Sequence, residues 1–256
     1  TSSLVFGGTS AGVLIPTSVV ALNGLSITNT NIVTLQSSLT VSGTFNPAGA
    51  GLSIGANTLT LNGIINCGTL VGGATSNIII GGAGAASLPG VVLNNLTVNR
   101  AVTMCGNVTV GGTLTLTSGA LSIAANTLTL LNGANLSYGT GSLTGGVTSN
   151  LTIGTGTDIT LNAIANGLNN FSTSRNITLG ADLTVNGTLT LTAGTFTVGP
   201  RTLTLNGPAI AGIPANLVTA ATSSLVFAGT SSGVFIPASV TNLTNLVINN
   251  ANGVTM

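Results

Sequence analysis

The sequence predicts an all-β fold: a parallel β-solenoid, or β-helix, assembled from repeats of about 74 residues. Three observations carry the prediction. Short stretches alternate Leu, Val, Ile or Phe with Thr or Ser, which puts aliphatic side chains on one face of a strand and hydroxyls on the other. Gly or Asn-Gly interrupts these stretches every few residues, too often for long strands. The pattern also recurs. Asn107 to Gly133 reads NVTVGGTLTLTSGALSIAANTLTLLNG, Asp182 to Gly207 reads DLTVNGTLTLTAGTFTVGPRTLTLNG, and Ser38 to Gly63 reads SLTVSGTFNPAGAGLSIGANTLTLNG. No such unit could bury its apolar face alone, so the units must stack.

The motif Thr-Ser-(Ser/Asn) followed by an aliphatic strand sets the frame. It opens at Thr1, Thr75, Thr148 and Thr222, which divides one continuous solenoid into repeats 1–74, 75–147, 148–221 and a partial repeat 222–256. Residues 1–35 and 222–256 match at 22 of 35 positions without a gap, so a longer period of 221 residues, or three repeats, overlies the short one. Neither end carries a distinct capping sequence, and Thr1 follows no signal-peptide pattern. The expectation is a processed product or a piece of a longer array, or a subunit that stacks end to end on copies of itself.

Within a repeat about nine short strands are expected, among them Ile78–Ile80, Leu96–Val98, Val102–Met104, Val108–Val110, Thr113–Leu116, Leu121–Ile123 and Thr127–Leu130. Helix is not indicated: Glu and Lys are absent, Gln occurs once, at Gln36, and Thr, Val and Ile dominate. Asn-Gly pairs beginning at Asn23, Asn62, Asn132, Asn166, Asn186, Asn206 and Asn252 mark sharp corners, since both residues tolerate positive φ. An array of small β-sandwiches is the competing fold, but a sandwich usually takes about 100 residues and longer strands. Three sides per coil would give roughly three or four coils per repeat, each coil rising about 4.8 Å. The interior would be ladders of Leu, Val, Ile and Ala, and the exterior Thr, Ser, Asn and Gly. An open coil would present unpaired strand groups able to template another chain.

Composition excludes several function classes. Charged residues make up 2% of the chain: three Arg, two Asp, and no Lys, Glu or His. A typical soluble domain carries about 25%. Nucleic-acid binding and attraction to anionic membrane surfaces both need basic patches that are absent. Membrane insertion is not expected either, because the most apolar run, 78–93, is broken by Gly81, Gly82, Gly84, Pro89 and Gly90. Low charge favours association over free solubility, so self-association is the expected partnership. Cys67 and Cys105 occupy non-equivalent places in the repeat. They are expected as unpaired small residues, with a bridge as the alternative.

The segments NLTVNRAVTM (95–104), LTVNGTLTLTAG (183–194) and ANTLTLLNG (125–133) resemble the repeat regions of very large secreted bacterial surface proteins. They are similar to filamentous-haemagglutinin-type adhesins and to the giant repeat proteins exported by type-nine secretion. The resemblance runs along essentially the whole chain. It implies an extracellular or cell-surface location and a structural or adhesive role, with surface glycans or other fibres as further partners.

A search for chemistry returns no catalytic, cofactor-binding or metal site. Without His, Lys or Glu the usual general acids and bases are missing, and a Ser-His-Asp or Cys-His arrangement is impossible. Two Cys cannot make a zinc site, and two isolated Asp cannot make a calcium repeat. β-Helical polysaccharide-active enzymes concentrate acids and bases in one groove; here the only candidates are Asp158, Arg175, Asp182 and Arg201. Arg100 and Arg175 share one repeat position, held by Asn31 and Asn252 in the outer repeats, and Asp182 stands where Asn107 and Ser38 stand. All are expected in solvated turns. Thr-Leu-Thr at Thr58, Thr113, Thr127, Thr188 and Thr202 suggests ice or lattice binding, but the best copies recur 75 residues apart and leave gaps in the array. The eight sequons, at Asn95, Asn107, Asn135, Asn150, Asn170, Asn176, Asn186 and Asn242, are what an Asn- and Thr-rich chain contains by chance. The expected function is a rigid structural segment of an extracellular filament.

Overall fold

A computed structural model describes residues 2–256. The described residues form 34 short strands, all paired in parallel, and a single 3-10 turn at Pro214–Asn216. They make stacked coils, about 12 in all, which is the β-solenoid the alternation requires. The chain divides into two compact bodies, Thr1–Ser122 with Ala134–Ser142, and Ile123–Gly133 with Leu143–Met256. The division does not follow the repeat boundaries.

In the first body three columns of strands run coil over coil. One begins Ser3–Phe6, Gly24–Ile27, Phe45–Asn46 and continues through single bridges at Ile65 and Ala86. The second begins Val13–Ile15, Val33–Leu35, Leu52–Ser53, Leu70–Val71. The third runs from Ala21–Leu22 through Leu39–Val41, Thr58–Leu61, Asn77–Ile80, Asn95–Val98 and Thr113–Leu116 to Asn135–Tyr138. In the second body Thr127–Leu130, Asn150–Ile153, Asn170–Thr173 and Leu189–Leu191 form one column, and Ile159–Leu161, Ile177–Leu179, Phe196–Thr197 and Leu217–Val218 another. A third column there joins Leu183–Val185, Thr202–Leu205, Ser224–Gly229 and Asn245–Asn250. Register steps vary from 16 residues, Ser87 to Thr103, to 23, Leu128 to Leu151. Differences in length are absorbed at the corners between strands.

The strand segments named from sequence are present within a residue at each end, Asn77–Ile80, Asn95–Val98 and Ala120–Ser122 being the shifted ones among them. Two-residue sides such as Ala21–Leu22, Leu70–Val71 and Ser87–Leu88 are too short to show alternation, and they raise the number of sides per repeat above nine. Counting from Ser3–Phe6 to its repeat counterpart Asn77–Ile80 gives eleven steps on a three-sided coil, so one repeat is two thirds of a turn past three coils. Equivalent strands consequently lie in different columns. In the second body Asn150–Ile153 and Ser224–Gly229, again repeat counterparts, also lie in different columns. Three such steps make a whole number of coils, which is the arithmetic behind the 221-residue period.

The core is the stacked inner face of these strands. Leu25, Ile27, Leu59, Leu96, Leu114, Leu128, Leu151 and Leu203 are all 1% exposed or less. Each such side chain contributes about 1.5–3 kcal/mol of burial free energy. Where a coil must fill more space, Phe171 and Phe196 meet edge to face, ring centroids 5.8 Å apart. Cys67 and Cys105 are bridged, with their Cα atoms 6.1 Å apart, against the expectation of unpaired thiols. Their places in the repeat differ because the bridge joins coils rather than repeats: Ile65 pairs with Ala86, and Ser87 with Thr103, so the two cysteines are two coils apart in sequence. Linear spacing within one repeat could not reveal that proximity.

Asn-Gly pairs serve two different purposes. At Asn166-Gly167 both residues have positive φ, 65° and 68°, as a sharp corner requires. Gly63 and Gly207 have no such φ; they are Gly because the preceding coil presses on them. A Cβ at Gly63 would lie 1.9 Å from the Gly43 carbonyl, and one at Gly207 would lie 1.8 Å from that of Gly187.

Candidate functional site

Corners hold every charged group and almost every side-chain hydrogen bond of this chain, so they are where a site would be. The Thr-Ser motif that frames the repeats builds the first kind. Ser76, Ser149 and Ser223 are buried. Ser76 Oγ accepts the Gly73 N–H at 3.0 Å and donates to the Gly55 carbonyl of the coil before it at 2.5 Å. Ser223 Oγ likewise accepts from Ala220 N and donates to Gly199 O, 3.0 and 2.6 Å away, and Ser149 Oγ donates to Ala124 O. The three acceptor residues share the left-handed region, with φ of 61°, 54° and 58°. The serine thus fixes the carbonyl of a left-handed residue that the strand ladder does not reach.

Arg100 and Arg175 build the second kind, and neither lies in a solvated turn: they are 9% and 3% exposed. The guanidinium of Arg175 points into the stack. Its Nη2 donates to Thr155 O at 2.6 Å and Leu131 O at 3.3 Å, its Nη1 to Thr157 O at 3.3 Å, and its Nε to Gly154 O. Arg100 donates from Nη1 to Gly84 O at 2.6 Å and from Nη2 to Gly63 O. Glycine makes room for the plug: a Cβ at Gly156 would come 2.9 Å from the Arg175 guanidinium carbon. The next coil presses on the arginine backbone through Gly119 and Gly194, whose φ values are 70° and 71°. A Cβ there would lie 2.2 Å from Arg100 C and 2.4 Å from Arg175 C respectively. Burial lowers both guanidinium pKa values below the ordinary arginine range by desolvation. Backbone carbonyl dipoles compensate the charge, and a fork of five N–H donors suits that task.

The other charged residues are exposed. Asp158 Oδ1 accepts from Asn176 Nδ2 at 3.0 Å, and Asp182 Oδ1 accepts the Thr202 N–H at 2.8 Å. The second contact repeats what Ser38 Oγ does for Thr58 N at 3.0 Å. Arg201 takes the place held by Asn57 and Asn126, whose side chains donate to Ile54 O and Ile123 O. Asp182 also lines an open groove of about 480 Å³ with Val147, Ile164, Asn166, Leu183 and Thr184. Of the four residues considered for polysaccharide chemistry, the fold therefore turns Arg175 inward and leaves Asp158, Asp182 and Arg201 on the surface. Among the described residues no three His, Cys, Asp or Glu lie together as a metal site. Among the described residues no helix is long and apolar enough to cross a membrane.

Asparagines link successive coils along the outside. Asn95 Nδ2 donates to Asn77 Oδ1 at 2.9 Å, and Asn95 Oδ1 accepts the Thr113 N–H at 2.8 Å. Asn170 repeats the arrangement between Asn150 and Thr188, at 2.9 and 2.8 Å. These sequon asparagines are ladder residues. The same register narrows the gaps expected between Thr-Leu-Thr motifs, leaving Ile79 as a break in the hydroxyl column. Thr40, Thr60, Ile79, Thr97, Thr115 and Ser137 form one outward column with a residue on every coil, and Thr58, Asn77, Asn95, Thr113 and Asn135 form a second beside it. Sequence reasoning missed this because Asn-Ile-Ile and Asn-Leu-Thr stand between the Thr-Leu-Thr copies of this column and Asn-Leu-Ser follows them.

No protein-family model, curated protein or solved structure matches the chain. The fold and its corners define a class on their own: a repeat β-solenoid whose polar side chains are spent on joining one coil to the next.

Proposed function

We propose that this chain is a structural segment of an extracellular filament or cell-surface fibre, self-associating along its axis and without catalysis. One observation carries the reading. The three strand columns, the Asn ladders and the serine and arginine corners all direct their hydrogen bonds from one coil to the next. Such a stack resists extension and bending along a single line. The bridge between Cys67 and Cys105 supports an oxidising setting, since disulfides persist outside the cytosol. The low charge supports assembly: few groups titrate and few are screened, so filaments should tolerate moderate salt and pH steps. Fibre diffraction and electron microscopy of native material test it. The expected result is filaments with a meridional spacing of about 4.8 Å; discrete globular particles would overturn it. Cys67 and Cys105 should resist thiol reagents in that material until it is reduced, and free thiols there would remove the extracellular placement.

The paired Thr/Asn/Ser columns favour a second reading, a face that binds a regular lattice such as ice or a crystalline polysaccharide. Thermal hysteresis and cellulose or chitin pull-down test it, with Thr97→Tyr and Thr115→Tyr expected to abolish any effect. No effect at high protein concentration would remove it.

A further inference from the structure

Repeat three departs from repeat two at two places that the fold brings together. In repeat two, Val91 and Val92 lead into Leu93-Asn94-Asn95, and the strand Val91–Leu93 pairs residue by residue with Val108–Val110. In repeat three the same two positions, before Leu168-Asn169-Asn170, are Asn166 and Gly167. Both have positive φ, and the Gly167 N–H closes the turn on Ile164 O at 3.3 Å. Pairing with the next coil shrinks there to one bridge, Leu168 to Val185. Val91 is buried, whereas Asn166 is exposed. The second departure is Asp182, a carboxylate where Asn107 and Ser38 stand in the other repeats.

The broken strand borders the groove of about 480 Å³ in the second body. That volume falls within the range of small-ligand clefts, about 300–1,000 Å³. Leu183, 3% exposed, lies at its floor, and Val147, 69% exposed, at its rim. Asp182, Asn166, Thr184 and Thr204 supply polar lining. Asp182 is held in place by the Thr202 N–H on Oδ1, which leaves Oδ2 for a ligand. Asn166 makes no side-chain hydrogen bond among the described residues, unlike Asn132, Asn186 and Asn206 at other Asn-Gly corners. A carboxylate only accepts hydrogen bonds, while the amide and the threonine hydroxyls both donate and accept. An anion would meet Asp182 unfavourably, and a single carboxylate is a poor match for calcium. The lining suits an uncharged ligand with several hydroxyls and an apolar C–H face.

We infer that this groove is a saccharide-binding site. Asp182 Oδ2 accepts a sugar hydroxyl, the Asn166 amide and the Thr184 hydroxyl bond to others, and Val147 lies against the C–H face of the ring. The site does not depend on the fibre reading.

Saturation-transfer NMR on the full chain tests it, with the neutral methyl glycosides of mannose, galactose, glucose and N-acetylglucosamine as probes. The expected result is saturable binding of at least one glycoside, with a dissociation constant on the order of 1 mM because no aromatic ring stacks on the sugar. Asp182→Ser rebuilds the corner as Ser38 builds it, so the thermal melt should be unchanged while binding weakens at least about tenfold. Asn166→Gly, which suits the positive φ, should weaken it less, by about threefold. Asp158→Ser makes the same change of charge outside the groove and should leave binding intact. No saturable signal from any probe, or binding that survives Asp182→Ser, would overturn the inference. So would binding lost on Thr97→Tyr and kept on Asp182→Ser, which would put the sugar on the strand columns of the first body. Filaments in native material are a separate outcome, and their absence leaves the groove standing.

Discussion

Two corners at one repeat position solve one problem with different side chains. In repeat one the corner between Ile27 and Val33 has five residues, and it folds on itself. Asn29 is buried, its Oδ1 accepts the Asn31 N–H at 2.9 Å, and its Nδ2 reaches Ser10 O at 3.1 Å. Asn31 Nδ2 donates to Thr9 O at 2.9 Å. Asn250 and Asn252 repeat all of this against Ser231 and Thr230. In repeats two and three the corner has only three residues, Asn99–Ala101 and Ser174–Asn176. It is too short to fold inward on its own, so a long side chain is sent instead. The arginine reaches carbonyls of the preceding coil, as the asparagine pair does, and also one carbonyl a coil further back, Gly63 O for Arg100 and Leu131 O for Arg175. Charge at this position is therefore a consequence of corner length, and its burial costs desolvation that a neutral amide does not incur.

That contrast can be broken in order of size. Arg175→Met should destabilise most, by about 3–5 kcal/mol, because several carbonyls lose their donors while only part of the loss is offset by relief of desolvation. Chemical denaturation reads it, and a loss under about 1 kcal/mol would mean that the plug is incidental. Arg100→Met should cost less, about 2–3 kcal/mol, since fewer carbonyls depend on it. Asn31→Ala, which removes one partly exposed donor, should cost about 0.5–1.5 kcal/mol. Ala124→Gly has the opposite sign. The residue sits at φ 54° where its counterparts are glycine, so the change should stabilise by about 1 kcal/mol. The smallest effect is that of pH. A lowered folded pKa means the fold binds the arginine proton less tightly than the unfolded chain does. Stability then gains only as pH rises through the folded value toward the ordinary arginine range, and thermal melts across the neutral range should be flat with respect to these groups.

Alternation at period two placed the strands because a core-facing Leu and an outward Thr are chemically distinct at every step. It could not place Ala21–Leu22 or Ser87–Leu88, where two residues give no period. The arginines were misjudged for a related reason. Burial of a cation depends on carbonyls contributed by other coils, Leu131 O and Thr155 O for Arg175, and these lie 44 and 20 residues away. The cysteine bridge is hidden in the same way, its halves separated by 38 residues. Repeat alignment did contain one usable signal. Gly119 and Gly194 recur 75 residues apart, each nineteen residues after an arginine, and mark a coil pressed onto another backbone.

The mismatch between repeat and coil has a geometric outcome of its own. Because each repeat overshoots by two sides of a triangle, a residue carried once per repeat moves to another side of the coil at the next repeat. Neighbouring repeats therefore cannot offer one motif to one partner side by side, and a local patch has to be written from different parts of the repeat.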